Sequence, residues 1–401
     1  MRVLGIIAEY DPFHRGHERH LRLARALAQP DFTYIALSPC VKQRGEFALL
    51  SPYDRAEAAL LGGADAVFGL PAAWVCRDAE HYALGAVATL GGLGATHLAF
   101  GAESSDLSGL KRLAEMLEAP PASFREKLRE ELAAGRGYPA AQAAAAEGVM
   151  PGAGSILGSP NNILAVCYLR AIRRLGARMT PLAIPRTGAY RADRIDPEAP
   201  SASAVREALC RGDWAGGLAA LPEASRRIVR RAALAGKLPE EKPLDTLTLN
   251  RIRRMSREEL RQLPEVSEGL EDRIARAASE AVSREELLDR TVTKRYTRAR
   301  LSRIFAWAMM GVSREELEKL PLPEETLLLG LRANPEMTAL WRDIPLRMVS
   351  SLRETEKPQM WRADREAWRI WNQIRHKPDH PPETAKVVTI PPFTERMEAF
   401  S

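Results

Sequence analysis

Cysteine is scarce in this chain: Cys40, Cys76, Cys167 and Cys210 are the only four in 401 residues, with no CxxC pair and no metal-ligand spacing. That pattern argues against a disulfide framework and a structural zinc, and it suits a reducing compartment. No run of about 18 apolar residues occurs, so a membrane-spanning helix is not expected. The opening residues carry no signal-peptide pattern, which leads us to expect a cytoplasmic protein without a membrane partner. An excess of six positive charges is modest. Its distribution along the chain matters more than its sum.

What is present begins at once. Val3-Leu4-Gly5-Ile6-Ile7-Ala8 is a short apolar run that reads as a buried strand. Asp11-Pro12 breaks the pattern. Leu21, Ala24, Leu27 and Ala28 then recur on a helical period. Three histidines, His14, His17 and His20, therefore crowd the joint between a first strand and a first helix. Such a joint is where a parallel α/β sheet binds ligands, and a helix N-terminus offers N–H groups and positive dipole character to a phosphate.

Apolar runs at 32–37, 66–71, 96–100 and 179–184 alternate with helical patterns, one of them begun by Ser51-Pro52. This alternation predicts right-handed crossovers and a Rossmann-like parallel sheet. Loops at the carboxyl ends of the strands, including His14 to His17 and Gly101, would share one crevice. At Ser201-Ala202-Ser203-Ala204-Val205-Arg206 another helix begins, with serine as N-cap.

Beyond about Ala215 helical periods and arginine dominate, which predicts two domains, 1–215 and a mainly helical, basic 216–401. The clusters Arg226, Arg227, Arg230, Arg231 and Arg251, Arg253, Arg254 read as solvated helix faces. Residues 294–303 differ, for they hold Lys294, Arg295, Arg298, Arg300 and Arg303 with no acid between them. We expect RNA contact there, with Tyr296 stacking on a base. His376 and His380 read as surface residues, and no metal site is expected.

His14-Arg15-Gly16-His17 has the form His-x-Gly-His, which resembles the signature of nucleotidylyl transferases and class I aminoacyl-tRNA synthetases. Ser201-Ala202-Ser203-Ala204-Val205-Arg206 resembles the second nucleotidylyl transferase signature, usually Ile-Ser-x-Thr-x-x-Arg. The longer opening from Gly5 to His17 is similar to that of the bacterial tRNA(Met) cytidine acetate ligase family. So are Gln43-Arg44-Gly45-Glu46, Phe100-Gly101-Ala102-Glu103, Ser159-Pro160-Asn161-Asn162 and Lys294-Arg295-Tyr296-Thr297. Departures are local: Asp11 stands where the family usually has Asn, and Leu37-Ser38-Pro39-Cys40-Val41-Lys42 where it has Met-Ser-Gly-Asn-Phe-Val.

The resemblance implies a ligase working in two steps. Acetate attacks the α-phosphate of ATP, giving acetyl-adenylate and pyrophosphate; the wobble cytidine of elongator tRNA(Met) then takes the acetyl group as N4-acetylcytidine. It implies His14 and His17 as catalytic residues. ATP would be lined by Ile7, Ala8, Glu9, Tyr10, Asp11, Pro12, Phe13, His14, Gly16, His17 and His20. Gly101, Asn161 and Arg186 would add contacts, and Ser201, Ser203 and Arg206 would meet the β- and γ-phosphates. Mg²⁺ is expected to travel with the phosphates. Two other readings stand beside this one: an adenylyl transferase acting on a small metabolite, and an RNA-binding protein with a vestigial nucleotide site.

Overall fold

The computed structural model describes residues 1–104, 106–185, 200–267, 269–381 and 383–392. The expected strands form: Val3–Ala8 (β1), Phe32–Leu37 (β2), Ala66–Gly69 (β3), His97–Ala102 (β4) and Thr180–Pro185 (β5). β1 pairs parallel with β2 on one side and β4 on the other, and β2–β3 and β4–β5 are also parallel. Helices cover both faces, so the strands read as continuous apolar runs, as parallel sheets require. Leu4 and Ile6 at the centre are almost fully enclosed, each contributing about 1.5–3 kcal/mol of burial.

The second half of the chain is helical through most of 223–318, as expected, and then returns to the sheet. Glu325–Arg332 (β6), Arg347–Val349 (β7) and Val388–Ile390 (β8) complete an eight-stranded order β5-β4-β1-β2-β3-β6-β7, with β8 beside β6. β6 runs antiparallel to β3. These strands carry no local signal of their own, because a short apolar run such as Leu327-Leu328-Leu329 does not distinguish strand from buried helix. Gly330 permits the close approach: a Cβ there would lie 2.9 Å from Leu60 Cδ1.

The tryptophans near the C-terminus seal the two halves together. Trp371 Nε1 donates to the Ala48 carbonyl at 2.6 Å, and Trp361 Nε1 to Glu325 Oε2 at 3.2 Å. Asp364, on the Arg362–Gln373 helix, accepts the Ala72 N–H at 2.8 Å.

Candidate nucleotide site

Strand order reverses at β1, whose neighbours β2 and β4 carry the chain in opposite directions across the sheet. The crevice between the carboxyl ends of β1 and β4 is therefore the switch point of the fold. His14 is the N-cap of the Arg15–Ala28 helix. Its Nδ1 accepts the His17 N–H at 3.3 Å, while His17 Nδ1 accepts the His14 N–H at 3.4 Å. This reciprocal box uses two imidazoles where serine and glutamate usually serve. It stacks the rings, with centroids 3.6 Å apart and planes 19° apart.

Gly16 is required by the same stack. A Cβ on it would stand 2.9 Å from His14 Cε1. His14 is buried, 2 % exposed, and His17 is half-buried, so His17 is the more accessible ring of the pair. Gly101, at the end of β4, faces His20: a Cβ there would be 3.9 Å from His20 Cδ2.

Other expected lining residues are distributed unevenly. Tyr10 and Phe13 are buried and pack edge to face at 4.9 Å, with Tyr10 also 4.9 Å from the His17 ring. They support the histidines from within the core; neither ring is open to the crevice. Pro12 is buried, as is Ala8, and Ile7 and Glu9 are half-buried. Asn161 lies at the start of the Pro160–Arg174 helix and donates its amide to Glu103 Oε1 at 2.6 Å, which ties it to the end of β4. Arg186 lies outside the described residues.

Helix Ala202–Cys210 begins at Ser201, whose hydroxyl accepts the Ala204 N–H at 3.2 Å. Ser203 is exposed. Arg206 reaches back to the first motif, donating to the Asp11 carbonyl at 3.1 Å and to Glu46 Oε2 at 3.0 Å. The two signatures thus meet in space, yet the Arg206 guanidinium is already engaged by protein groups.

Asp11 sits at the centre of a buried charge cluster. Its Oδ1 accepts the Leu49 N–H at 2.8 Å, and its Oδ2 lies 3.2 Å from Lys42 Nζ and 3.7 Å from Arg206 Nη1. Lys42 also donates to Glu46 at 2.8 Å. Burial would raise the Asp11 carboxyl, but Lys42, Arg206 and Arg55 together with the Leu49 N–H hold it below the usual range. Lys42 likewise holds Glu46 well below that range, helped by Arg206.

Sequence reasoning missed Arg55. It is fully enclosed and donates to the carbonyls of Glu9 at 2.6 Å and Ser38 at 2.8 Å, and to that of Pro39. It thereby satisfies the exposed ends of β1 and β2 beneath the crevice. An arginine inside the Ser51-Pro52 helix carried no motif, so only its burial marks it.

The basic stripe at 294–303 is largely paired once folded. Tyr296 is 8 % exposed, takes a hydrogen bond from Ser267 at 3.3 Å, and lies under the Arg300 guanidinium at 5.2 Å. Its expected stacking on a base is therefore corrected: the ring is spent on the core. Arg303 is buried and bidentate on Glu265, both bonds 2.6 Å. Arg300 donates to the Glu265 carbonyl at 3.0 Å, and Arg298 pairs with Glu285 and Asp289. Lys294 and Arg295 remain exposed. The acids come from elsewhere in the chain, which a local reading cannot see.

A His-x-Gly-His pair at the switch point of a parallel sheet is the arrangement shared by nucleotidylyl transferases and class I aminoacyl-tRNA synthetases, and the extent of the family match assigns this chain to the former. The chain matches the family model described as HIGH Nucleotidyl Transferase over residues 1–384. It is 35% identical over 346 residues to a tRNA(Met) cytidine acetate ligase of Acetivibrio thermocellus, covering 83% of each chain. The namesake from Syntrophotalea carbinolica is 35% identical over 374 residues, 90% of this chain and 88% of that one. The chain belongs to the tRNA(Met) cytidine acetate ligase family. Among solved structures, Thermotoga maritima TmcAL in its apo form I superposes with a TM-score of 0.91 at 28% identity, covering 98% of this chain and all of that one. The same protein bound with alpha-thio ATP gives a TM-score of 0.86 at the same coverage.

Proposed function

We propose that this protein is an ATP-dependent ligase that activates acetate as acetyl-adenylate and transfers the acetyl group to N4 of the wobble cytidine in elongator tRNA(Met). The observation that carries this reading is the stacked His14–His17 pair at the helix N-terminus, where the strand order reverses. A donor fixed there stabilises charge that builds on an α-phosphate as pyrophosphate leaves. His17, as the half-buried ring, is assigned that contact, and His14 holds it in place. Acetate is already an anion, so the first step needs positioning and charge neutralisation and no general base. The nucleotide reading is supported by the family match and by the Thermotoga maritima structural relative bound with alpha-thio ATP.

Mg²⁺ would arrive with the triphosphate, held mainly by phosphate oxygens. Asp11 and Glu46, the carboxylates beside the loop, are ion-paired with Lys42 and Arg206, which leaves them poor candidates for metal ligands. Lys294 and Arg295 are exposed cations of the expected RNA stripe, beside Arg298, which is exposed but paired with Glu285 and Asp289, and they would meet tRNA phosphates from the 216–401 part of the chain. Among the described residues no helix is long and apolar enough to cross a membrane; a cytoplasmic location follows from the tRNA substrate.

The deciding experiment is acetate-dependent exchange of labelled pyrophosphate into ATP, followed by addition of tRNA(Met) and detection of N4-acetylcytidine. Exchange with acetate and acetylation of tRNA are expected. Exchange that requires another small acceptor would favour the metabolite adenylyl transferase, and RNA binding with no exchange would favour the vestigial site.

A further inference from the structure

The charge cluster beneath the first loop contains two anions, Asp11 and Glu46, and two cations, Lys42 and Arg206, with each cation in contact with both anions. Lys42 and Asp11 are both cut off from solvent, their side chains 2 % and 1 % exposed, and Lys42 is the cation of that enclosed pair. A lysine is rarely buried so completely unless it is paired, and here its partner is the equally enclosed Asp11. Asp11 directly precedes Pro12-Phe13-His14, and its own carbonyl is the acceptor for Arg206. Whatever moves the Asp11 side chain therefore moves the backbone that delivers the His14–His17 stack.

We propose that Lys42 is a positioning residue for the nucleotide site: by neutralising and anchoring the buried Asp11 carboxylate, it sets the loop that presents the two imidazoles and removes a negative charge from beneath the triphosphate. This rests on the ATP reading of that site. Lys42 acts through Asp11 and does not touch the nucleotide, because Asp11 and Glu46 already surround its ammonium group.

The chemistry also explains a tension left by the sequence. A carboxylate beside an anion-binding loop would repel its ligand in a low-dielectric interior. Among the four side chains in direct contact the charges balance two against two, with Arg55 near Asp11 and Arg284 near Glu46 adding positive charge at longer range. Replacing lysine by methionine keeps the volume and leaves one anion in excess within that contacting set. Replacing Asp11 by asparagine as well restores the balance at one against one, and the asparagine oxygen still accepts from Leu49.

The test compares full-length wild type, Lys42→Met and Asp11→Asn/Lys42→Met. ATP affinity is read at a temperature where each is folded, and the imidazole NMR signals of His14 and His17 are read without nucleotide. The single variant should bind ATP at least tenfold more weakly with its ring signals displaced. The double variant should return to within about threefold of wild type, with the signals restored. Lys42→Gln, which keeps a donor toward Glu46, replaces the methionine variant if that one does not fold.

Unchanged affinity and unmoved rings in the single variant would reduce the pair to fold stability and overturn the proposal. A double variant as weak as the single would overturn it differently, by showing that Lys42 meets the nucleotide itself. If wild type takes no ATP, the functional reading fails. The ring signals then still decide whether Lys42 sets the loop.

Discussion

Gly45 rests against the backbone of Arg303 so closely that a Cβ on it would lie 2.5 Å from the Arg303 nitrogen and 2.6 Å from its Cα. The loop that carries Lys42 and Glu46 on one side is thus in direct contact, on the other, with the Arg298–Met310 helix of the basic half. Gly45 also has φ of +76°, a conformation side chains resist. Gly45→Ala should therefore cost about 2 kcal/mol or more, read by denaturant unfolding. It should weaken tRNA binding and ATP binding together, since the shared loop is pushed from both neighbours. A variant as stable as wild type would mean the helix yields without consequence.

The histidine stack makes a local prediction. Gly16→Ala should displace the His14 ring and lower ATP affinity about tenfold or more, with little change in unfolding midpoint because the site lies in the first turn of the helix. His17→Ala should reduce pyrophosphate exchange about 10²-fold or more. Exchange at the wild-type rate in the His17 variant would remove that ring from the chemistry.

Residues of the basic stripe should separate into two groups. Lys294→Ala with Arg295→Ala should flatten the salt dependence of tRNA binding by roughly 0.7–0.9 per lost phosphate contact, leaving unfolding unchanged. Arg303→Ala should instead destabilise the protein by about 3 kcal/mol, because Glu265 loses a bidentate, buried partner. Measuring salt slopes and denaturation on the same variants distinguishes the two. An altered slope with unchanged stability in the Arg303 variant would contradict its structural assignment.

Asp364 gives a prediction in pH. Burial pushes its carboxyl up to about 8, against the modest opposing pull of the Ala72 N–H. The folded state therefore holds a proton that the unfolded chain has released above its usual carboxylate pKa. Its contribution is fully present below about 4 and is lost as pH rises through about 8, at up to about 1.4 kcal/mol per pH unit. Asp364→Asn keeps the acceptor for Ala72 and removes the titration. Unfolding free energies measured from pH 4 to 9 should fall less steeply in the variant than in wild type; parallel curves would show that Asp364 is ionised in the fold.

Much of the core was legible from local order alone. The five parallel strands, the first helix and its histidines follow from apolar period, turn residues and cap chemistry, all of which act within a few residues of one another. So does the meeting of His14 with His17, since a helix brings position N3 onto its own cap. The sequence alone also placed the crevice, because alternation of strand and helix leaves few topologies. Three things were decided only by the tertiary structure. β6 joined β3, because edge pairing is a long-range choice that a short leucine run does not encode. Lys42 and Arg206 converged on Asp11, because an ion pair depends on distance in space and not along the chain. Tyr296 and Arg303 turned inward for the same reason: Ser267 and Glu265, some thirty or more residues away, supply partners that convert an apparently free basic stripe into a packed one.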